Sequence, residues 1–356
     1  MNFNKDQLIH YVENIFKTVG LSSKDSHTVA DSLVAANLRG VDSHGVTRVP
    51  IYVKRLKEGA VNPRPNIKVI QDNNSTLLVD GDDGMGQVIG QKTIEIGIEK
   101  AKKNGGVHIG VTRSSHFGAG AYFVKQGVEE DMITFAMSNA PSTMAPWGGV
   151  RPYFGTNPYT FAIPTGKKEP IILDMATSVV ARGKIIMAAQ NGTDIPTGWA
   201  IDNKGQPTTD SNSALKGTVL PFGGPKGYGI AMMIDIMSGV LTGAGFGPHI
   251  KNIYGDFDKP QNVGHFFQLI DINTFMPAKL FKRRINQMID EIKLSPAVEG
   301  IDEIFIPGEI EHKMEQTKRK NGIDLSKEVY DDIKKVGADC GVDIRDYEGK
   351  RNDTIR

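Results

Sequence analysis

Apolar residues recur at helical spacing through the first sixty positions. Leu8, Val12, Ile15, Phe16 and Val19 fall on one face, with Gly20 placed to end the helix. Ser22 and Ser23 open a second helix with Asp25 in its first turn, and Gly40 marks its end. Val46, Val49, Val53 and Leu56 continue a helical stripe to Gly59. Pro50 forces that helix either to start near Val49 or to bend there. From Asn66 the period changes. Ile67–Ile70 and Ser75–Val79 predict strands around a polar turn, followed by a helix over Gly90–Lys103. A strand at Val107–Val111, a helix near Ala119–Glu129 and a strand at Met132–Met137 come next. The alternation predicts an α/β or α+β domain. Residues 139–164, rich in Pro, Gly and Asn, predict an ordered loop system. Ile171–Leu173 predicts a short strand, and 190–224 mostly loop. Tyr228–Leu241, apolar nearly all round, predicts a buried helix. Phe266–Ile272 predicts a strand, and the remainder is helical, most clearly Phe281–Ile292 and Lys327–Lys335.

This pattern divides the chain into an N-terminal helical part (1–65), a mixed α/β part (66–224) and a C-terminal helical part (225–356) that packs back on the first helices. The 356 residues suffice for a large core. The 42 Lys and Arg nearly balance 41 Asp and Glu, so no general attraction to nucleic acid or membrane is expected. Cys340 is the one cysteine, which excludes an intrachain disulfide and a thiolate metal cluster and suits a reducing compartment. No charged-then-apolar segment opens the chain and no stretch is long enough to span a bilayer, so a cytoplasmic protein is expected. The 40 glycines cluster at 84–90, 118–120, 223–229 and 239–247. Such clusters suit tight turns or backbone brought close to a ligand.

Five places carry candidate chemistry. His44 precedes Arg48 by four residues, so on a helix both would share a face. An arginine fork grips a carboxylate, and an imidazole moves a proton beside it. The competing reading is a helix start capped by Ser43, with both residues merely exposed. His116 lies just after a strand and beside glycines, where catalytic groups often sit, although a structural histidine fits there too. Lys226, in Gly223-Gly-Pro-Lys-Gly227 ahead of a helix, opposes the helix dipole unless an anion sits nearby. It either joins a phosphate site or swings out to solvent. Asp174, at a strand end, suits a ribose contact, a histidine orienter or a helix cap. Gly84-Met-Gly86-Gln-Val-Ile-Gly90 resembles a dinucleotide fingerprint. However, the following strand ends in Thr112 and Arg113 with no carboxylate, and Asp80, Asp82 and Asp83 would repel phosphate. A plain turn is the better reading. His44 and His116 lack a third ligand at metal spacing, so no metal site is expected.

Taken together, the segments resemble the malate/L-lactate dehydrogenase family that is not built on the Rossmann fold. The resemblance covers residues 5–335. It rests on Arg39-Gly-Val-Asp-Ser-His-Gly45, Ser115-His-Phe-Gly118, Ala145-Pro-Trp-Gly-Gly149 and Phe154-Gly-Thr-Asn-Pro158. It rests further on Leu173-Asp-Met-Ala-Thr177, Gly223–Gly229, Val263-Gly-His-Phe-Phe267 and Pro307-Gly-Glu309. It implies a mixed-sheet α/β cofactor domain, a separate mainly helical domain and a homodimer. It also implies hydride transfer between NAD or NADP, NAD by preference, and a 2-hydroxy or 2-oxo acid. His116 takes the main acid/base role, with His44 second. Arg48 holds the substrate carboxylate, with Tyr52 one turn on. Cofactor contacts map to Asn139, Ala140, Asp174, Met175, Ala176, Lys226, Pro307, Gly308 and Glu309.

The resemblance narrows the substrate less well. Ureidoglycolate enzymes of the family carry a Ser-Asp pair where this chain has Ala140-Pro141, and an arginine where it has Gln261 or Asn262. That favours malate or L-lactate. Trp199-Ala-Ile-Asp202 and Pro207-Thr-Thr-Asp210 look more like the ureidoglycolate branch, and reduction of a cyclic imine needs the same donor and clamp.

Overall fold

The computed structural model describes residues 1–166 and 168–347, so residues 348–356 of the expected C-terminal part lie outside the described residues. The first helix, Lys5–Thr18, opens on a capping box in which Asn4 and Gln7 satisfy each other's backbone N–H. Ser22 caps the second, Ser23–Leu38, by accepting from Asp25 N. Their apolar faces meet the helices Val49–Lys57 and Lys327–Asp339 around Leu8, Phe16, Leu33, Tyr52 and Ile333. The first residues are tied down as well: Asn2–Phe3 pairs antiparallel with Ile323–Asp324.

A seven-stranded sheet forms the second layer. Its order is Lys68–Asp72, Thr76–Asp80, Gly106–Ser114, Val263–Asp271, Met132–Ser138, Tyr159–Ile163 and Ile171–Met175. Only Thr76–Asp80 and Gly106–Ser114 run parallel. Every other neighbouring pair is antiparallel. The mixed sheet implied by the resemblance is therefore present, and it is not a doubly wound dinucleotide sheet. Val263–Asp271, close to the strand expected at Phe266–Ile272, fills the middle of the sheet, where both of its edges are hydrogen-bonded. Register sets the geometry that matters for function. His265 lies opposite Val111 on one side and Ser138 on the other, and Tyr159 lies between Met137 and Met175. The loops carrying His116, Asn139, Gln261 and Asp174–Ala176 consequently leave the sheet at one end.

Three local expectations are corrected, and one helix appears where the sequence raised no specific expectation. The helix expected from Gly90 starts at Gly86. Its glycines serve close approach rather than chain breaking, since a Cβ on Gly86 would sit 2.2 Å from Ser115 O and one on Gly90 2.7 Å from the Phe123 ring. Tyr159–Ile163, inside the expected loop 139–164, is a strand that alternates buried and half-buried residues between two prolines. Arg182–Gln190 is a helix that buries Ile185 alone, so it has no apolar stripe to announce it. Tyr228–Leu241 is not a buried helix. It runs as an α-helix over Pro225–Asp235 and a π-turn over Ile236–Val240, and Met233, Val240 and Leu241 are 51%, 55% and 66% exposed. Its all-round apolar character therefore leaves one face uncovered in the single chain. Among the described residues no helix is long and apolar enough to cross a membrane.

Candidate active site

A cleft of about 1090 Å³ lies between the helical layer and the loop-bearing end of the sheet. His44 and Arg48 reach it by a different route from the single helix considered above. Asp42–His44 and Val46–Arg48 are two 3-10 turns broken at Gly45, and Ser43 caps neither. The side chain of Asn37 occupies the space a Cβ on Gly45 would need, 2.3 Å away. From there Asn37 accepts from Val46 N at 2.8 Å and donates to Asp42 at 2.6 Å. Pro50 sits in the first turn of the helix that then starts at Val49, where its missing N–H costs nothing.

Arg48 has no carboxylate partner among the described residues. Its Nε donates to Ser43 O at 2.7 Å and its Nη1 to the hydroxyl of Tyr254. The loop bearing Tyr254 is held by the fully buried Arg55, whose guanidinium donates to the carbonyls of Ile253, Asp256 and Lys259. The Arg48 guanidinium thus keeps donors facing the cleft, which is the geometry a carboxylate needs.

His116 stands opposite, its ring 5.5 Å from that of His44. The Tyr52 hydroxyl meets His116 Nδ1 at 2.6 Å, and Gln87 Nε2 donates to the same hydroxyl at 3.1 Å. His116 N donates to Gln261 Oε1 at 3.2 Å. Burial, then Arg48, then His44 hold His116 well below the usual histidine value. Burial and Arg48 bring His44 down to about 4. Burial raises Tyr52 to about 12, so it remains a phenol. Both imidazoles are therefore neutral at pH 7 and equipped to accept a proton.

Behind His116, the fully buried His265 bridges the ends of two strands. Its Nε2 meets Ser114 Oγ at 2.7 Å, its Nδ1 meets Ser138 Oγ at 2.9 Å, and its ring stacks on Phe117 at 4.5 Å. Burial pushes its imidazole down to about 3. Asn139 spends its side chain in the same way, donating to Gly245 O and accepting from Gly264 N. Asn139 and Ala140 can thus offer the cleft mainly backbone.

The remaining candidates divide. Asp174, Met175 and Ala176 line the cleft, as do Pro307 and Gly308. Asp174 caps Ala121–Glu129, rather than the helix after it, by accepting from Ala121 N at 2.9 Å. Pro307 O accepts from Ile172 N at 3.0 Å, which docks the Pro307-Gly308 turn on the last strand. Glu309 turns away to pair with Lys293 and accept from Ile306 N. Lys226 is exposed and is not part of the cleft wall. Its turn lies just past Ala176, since Phe222 N donates to Thr177 O at 3.0 Å. Sequence reasoning passed over Tyr254, Gln87, Arg55 and His265. His265 and Gln87 stood in quoted motifs, but a buried bridging or supporting role has no signature in spacing.

The cleft suits a dinucleotide together with a small acid. Its volume reaches the upper end of ordinary ligand pockets, roughly 300–1,000 Å³, far beyond what a three- or four-carbon acid fills. The buried Thr143 Oγ1 on its wall has no hydrogen-bond partner among the described residues.

Comparison with known proteins agrees over nearly the whole chain. The family model described as malate/L-lactate dehydrogenase matches residues 3–334. The malate dehydrogenase of Pyrococcus abyssi is 40% identical over 346 residues, 95% of this chain and 94% of that protein. The L-sulfolactate dehydrogenase of Methanocaldococcus jannaschii is 41% identical over 335 residues, 94% of this chain and 96% of that protein. A solved structure of sulfolactate dehydrogenase from Methanocaldococcus jannaschii superimposes with a TM-score of 0.91 at 38% identity, covering 98% of this chain and 99% of that one. With this cleft and these relatives, the chain belongs to the malate/L-lactate dehydrogenase family and is an oxidoreductase of the 2-hydroxy acid class.

Proposed function

We propose that this enzyme transfers a hydride between NAD(P), with NAD preferred, and malate or L-lactate. The observation that carries the reading is the convergence of Arg48, with no carboxylate partner among the described residues, and the neutral His116 held by Tyr52. Arg48 forks the substrate carboxylate and fixes the carbinol carbon. Tyr52 holds the His116 ring so that Nε2 faces the substrate hydroxyl. In oxidation His116 Nε2 takes the hydroxyl proton. In reduction the imidazolium returns that proton to the carbonyl oxygen. The bound nicotinamide supplies the hydride acceptor in one direction and the hydride in the other. Asp174–Ala176, Pro307 and Gly308 form the wall for that dinucleotide, with Asn139 and Ala140 contributing backbone. Lys226 reaches its phosphates from the rim.

The tautomer of His116 is part of this reading. A bare Nε2 requires the proton on Nδ1, donated to the Tyr52 oxygen. Tyr52 then needs an acceptor, and the buried Gln87 Oε1, which has no partner among the described residues, becomes one when the amide turns over. A carboxylate on Arg48 offsets the cation that depresses both histidines, so substrate binding raises His116 toward the range where it can carry a proton.

The test is nicotinamide absorbance with pyruvate, oxaloacetate and a cyclic imine carboxylate, and with ureidoglycolate in the oxidative direction, using NAD(H) and NADP(H) in turn. Fastest turnover of pyruvate or oxaloacetate with NADH is expected. Fastest turnover of ureidoglycolate or the imine overturns the substrate assignment. Lys226→Ala is expected to weaken NADH binding severalfold, and an unchanged dissociation constant rejects its phosphate role. The uncovered face at Met233, Val240 and Leu241 supports a homodimer in which a second copy covers it.

A further inference from the structure

His116 follows the strand Gly106–Ser114, and Arg48 is set from the facing wall by Tyr254. One side chain touches the supports of both. Gln261 is 1% exposed and stands just ahead of the strand Val263–Asp271. Its Oε1 accepts from His116 N at 3.2 Å, and its Nε2 donates to Lys251 O at 3.3 Å. A backbone N–H can only donate and a carbonyl can only accept, so this amide cannot turn over without losing both bonds. The carbonyl of Gln261 takes the other half of Lys251, accepting from its N–H at 3.1 Å. Both backbone groups of Lys251 therefore go to one residue, and the segment 251–261 is pinched into a loop at its base.

That loop carries Tyr254. Asn252 Oδ1 accepts from Tyr254 N at 2.8 Å, and Asp256 Oδ2 accepts from Asn252 N at 2.7 Å. Arg55 holds the loop from the helical layer through the carbonyls of Ile253, Asp256 and Lys259. These bonds fix the shape of the loop, and Gln261 ties that shape to the backbone of His116. With both ends of its amide engaged and its side chain buried, Gln261 acts through its neighbours.

We infer that Gln261 is a positioning residue that sets the proton-transferring imidazole and the carboxylate clamp relative to each other, by joining His116 to the loop that presents Tyr254 to Arg48. This rests on the functional reading above, in which His116 moves the proton and Arg48 holds the acid. Elsewhere the two walls have separate supports. Loss of Gln261 should therefore reach both constants, whereas Tyr254→Phe, which leaves the junction in place, should reach only one.

The experiment compares Gln261→Met, Tyr254→Phe and the double variant in steady-state reduction of pyruvate and oxaloacetate. Gln261→Met keeps the length of the side chain and removes both bonds. Misplacement of the imidazole is expected to lower kcat about 10- to 100-fold. Loosening of the clamp is expected to raise KM about 2- to 10-fold. Tyr254→Phe should then add less to KM in the Gln261→Met background than in the wild type, because the loop is already free. A change in kcat alone or in KM alone assigns Gln261 to one wall and overturns the junction, as does full additivity of the two substitutions. Hydrogen exchange read by mass spectrometry on the unliganded full chain gives a second measure. Residues 114–118 and 250–262 should lose protection together in Gln261→Met, and faster exchange in only one of them overturns the coupling. If Gln261→Met does not fold, the wild type still decides: the amides of His116 and Lys251 should open with one common protection, and clearly different protections reject the junction. If the wild type reduces neither acid, the functional reading fails, and the exchange data still show whether Gln261 joins the two segments.

Discussion

The two walls of the cleft are built differently. On the sheet side each loop is tied by buried polar groups: His265 bridges Ser114 and Ser138, Asn139 bridges Gly245 and Gly264, and Gln261 holds His116 N. On the helical side Arg48 and His44 ride on two 3-10 turns, held by Asn37, by the Ser43 carbonyl and by one tyrosine hydroxyl. The difference matches the demands of the two tasks. Proton transfer is sensitive to fractions of an ångström and belongs on an over-determined frame, whereas a guanidinium fork tolerates adjustment as it closes on a carboxylate. Damage to the rigid wall should therefore appear in kcat, and damage to the helical wall in KM.

The sharpest break in that contrast is His116→Ala against His44→Ala. Removing a general acid–base is expected to lower kcat by about 10²- to 10⁴-fold, with KM little changed, while His44→Ala loses far less. Near-normal turnover in His116→Ala with loss in His44→Ala would move the proton transfer to the helical wall.

The next effect is on stability, and it comes from the rigid wall. Burial holds His265 at about 3 when folded, below the usual 6.5. The unfolded chain therefore binds the extra proton first as pH falls. The stability contributed by the neutral ring is complete above pH 6.5 and is lost progressively from there down to about 3, a few kcal/mol over the window. His265→Gln keeps two polar atoms for the serines and does not titrate. Denaturant melts between pH 7 and pH 4 should fall less steeply for it than for the wild type, and equal slopes would remove His265 as the acid-sensitive lock.

Arg48→Lys comes third. A point charge replaces the fork, so KM for the acid should rise about 10- to 100-fold with kcat changed less. An unchanged KM would reject the clamp.

The same contrast governs what the sequence made legible. The helical layer announces itself through period and caps, as Asn4, Ser22 and the stripe from Leu8 to Val19 show. His44, Arg48 and His116 were nameable because their chemistry is rare and their neighbours are glycines. The frame behind them was not, because it is made of long-range pairings. Ser114 meets Ser138 only through His265, more than a hundred residues away from either, and Arg55 meets its three carbonyls some two hundred residues on. Local pattern also misled at the helix start. Gly45 breaks the expected single helix because the Asn37 side chain takes the space a Cβ would need, a clash that exists only after folding. Likewise, Met233, Val240 and Leu241 look like core in sequence and are exposed in one chain, because apolar character does not say which molecule covers it.

The smallest effect tests whether the helical wall is adjustable at all. Tyr254 gives Arg48 a hydroxyl acceptor and a ring 6.0 Å from its guanidinium carbon, and Arg55 fixes the loop that presents it. Tyr254→Phe keeps the ring and removes the acceptor. The guanidinium keeps its cleft-facing donors and loses only a contact that positions it, so about 0.5–1.5 kcal/mol reaches the acid and KM should rise roughly 2- to 10-fold, with kcat preserved because His116 and its buried supports are untouched. A matching fall in kcat would show that Arg48 and His116 move as one unit. The cleft would then have a single rigid frame instead of two walls of different stiffness.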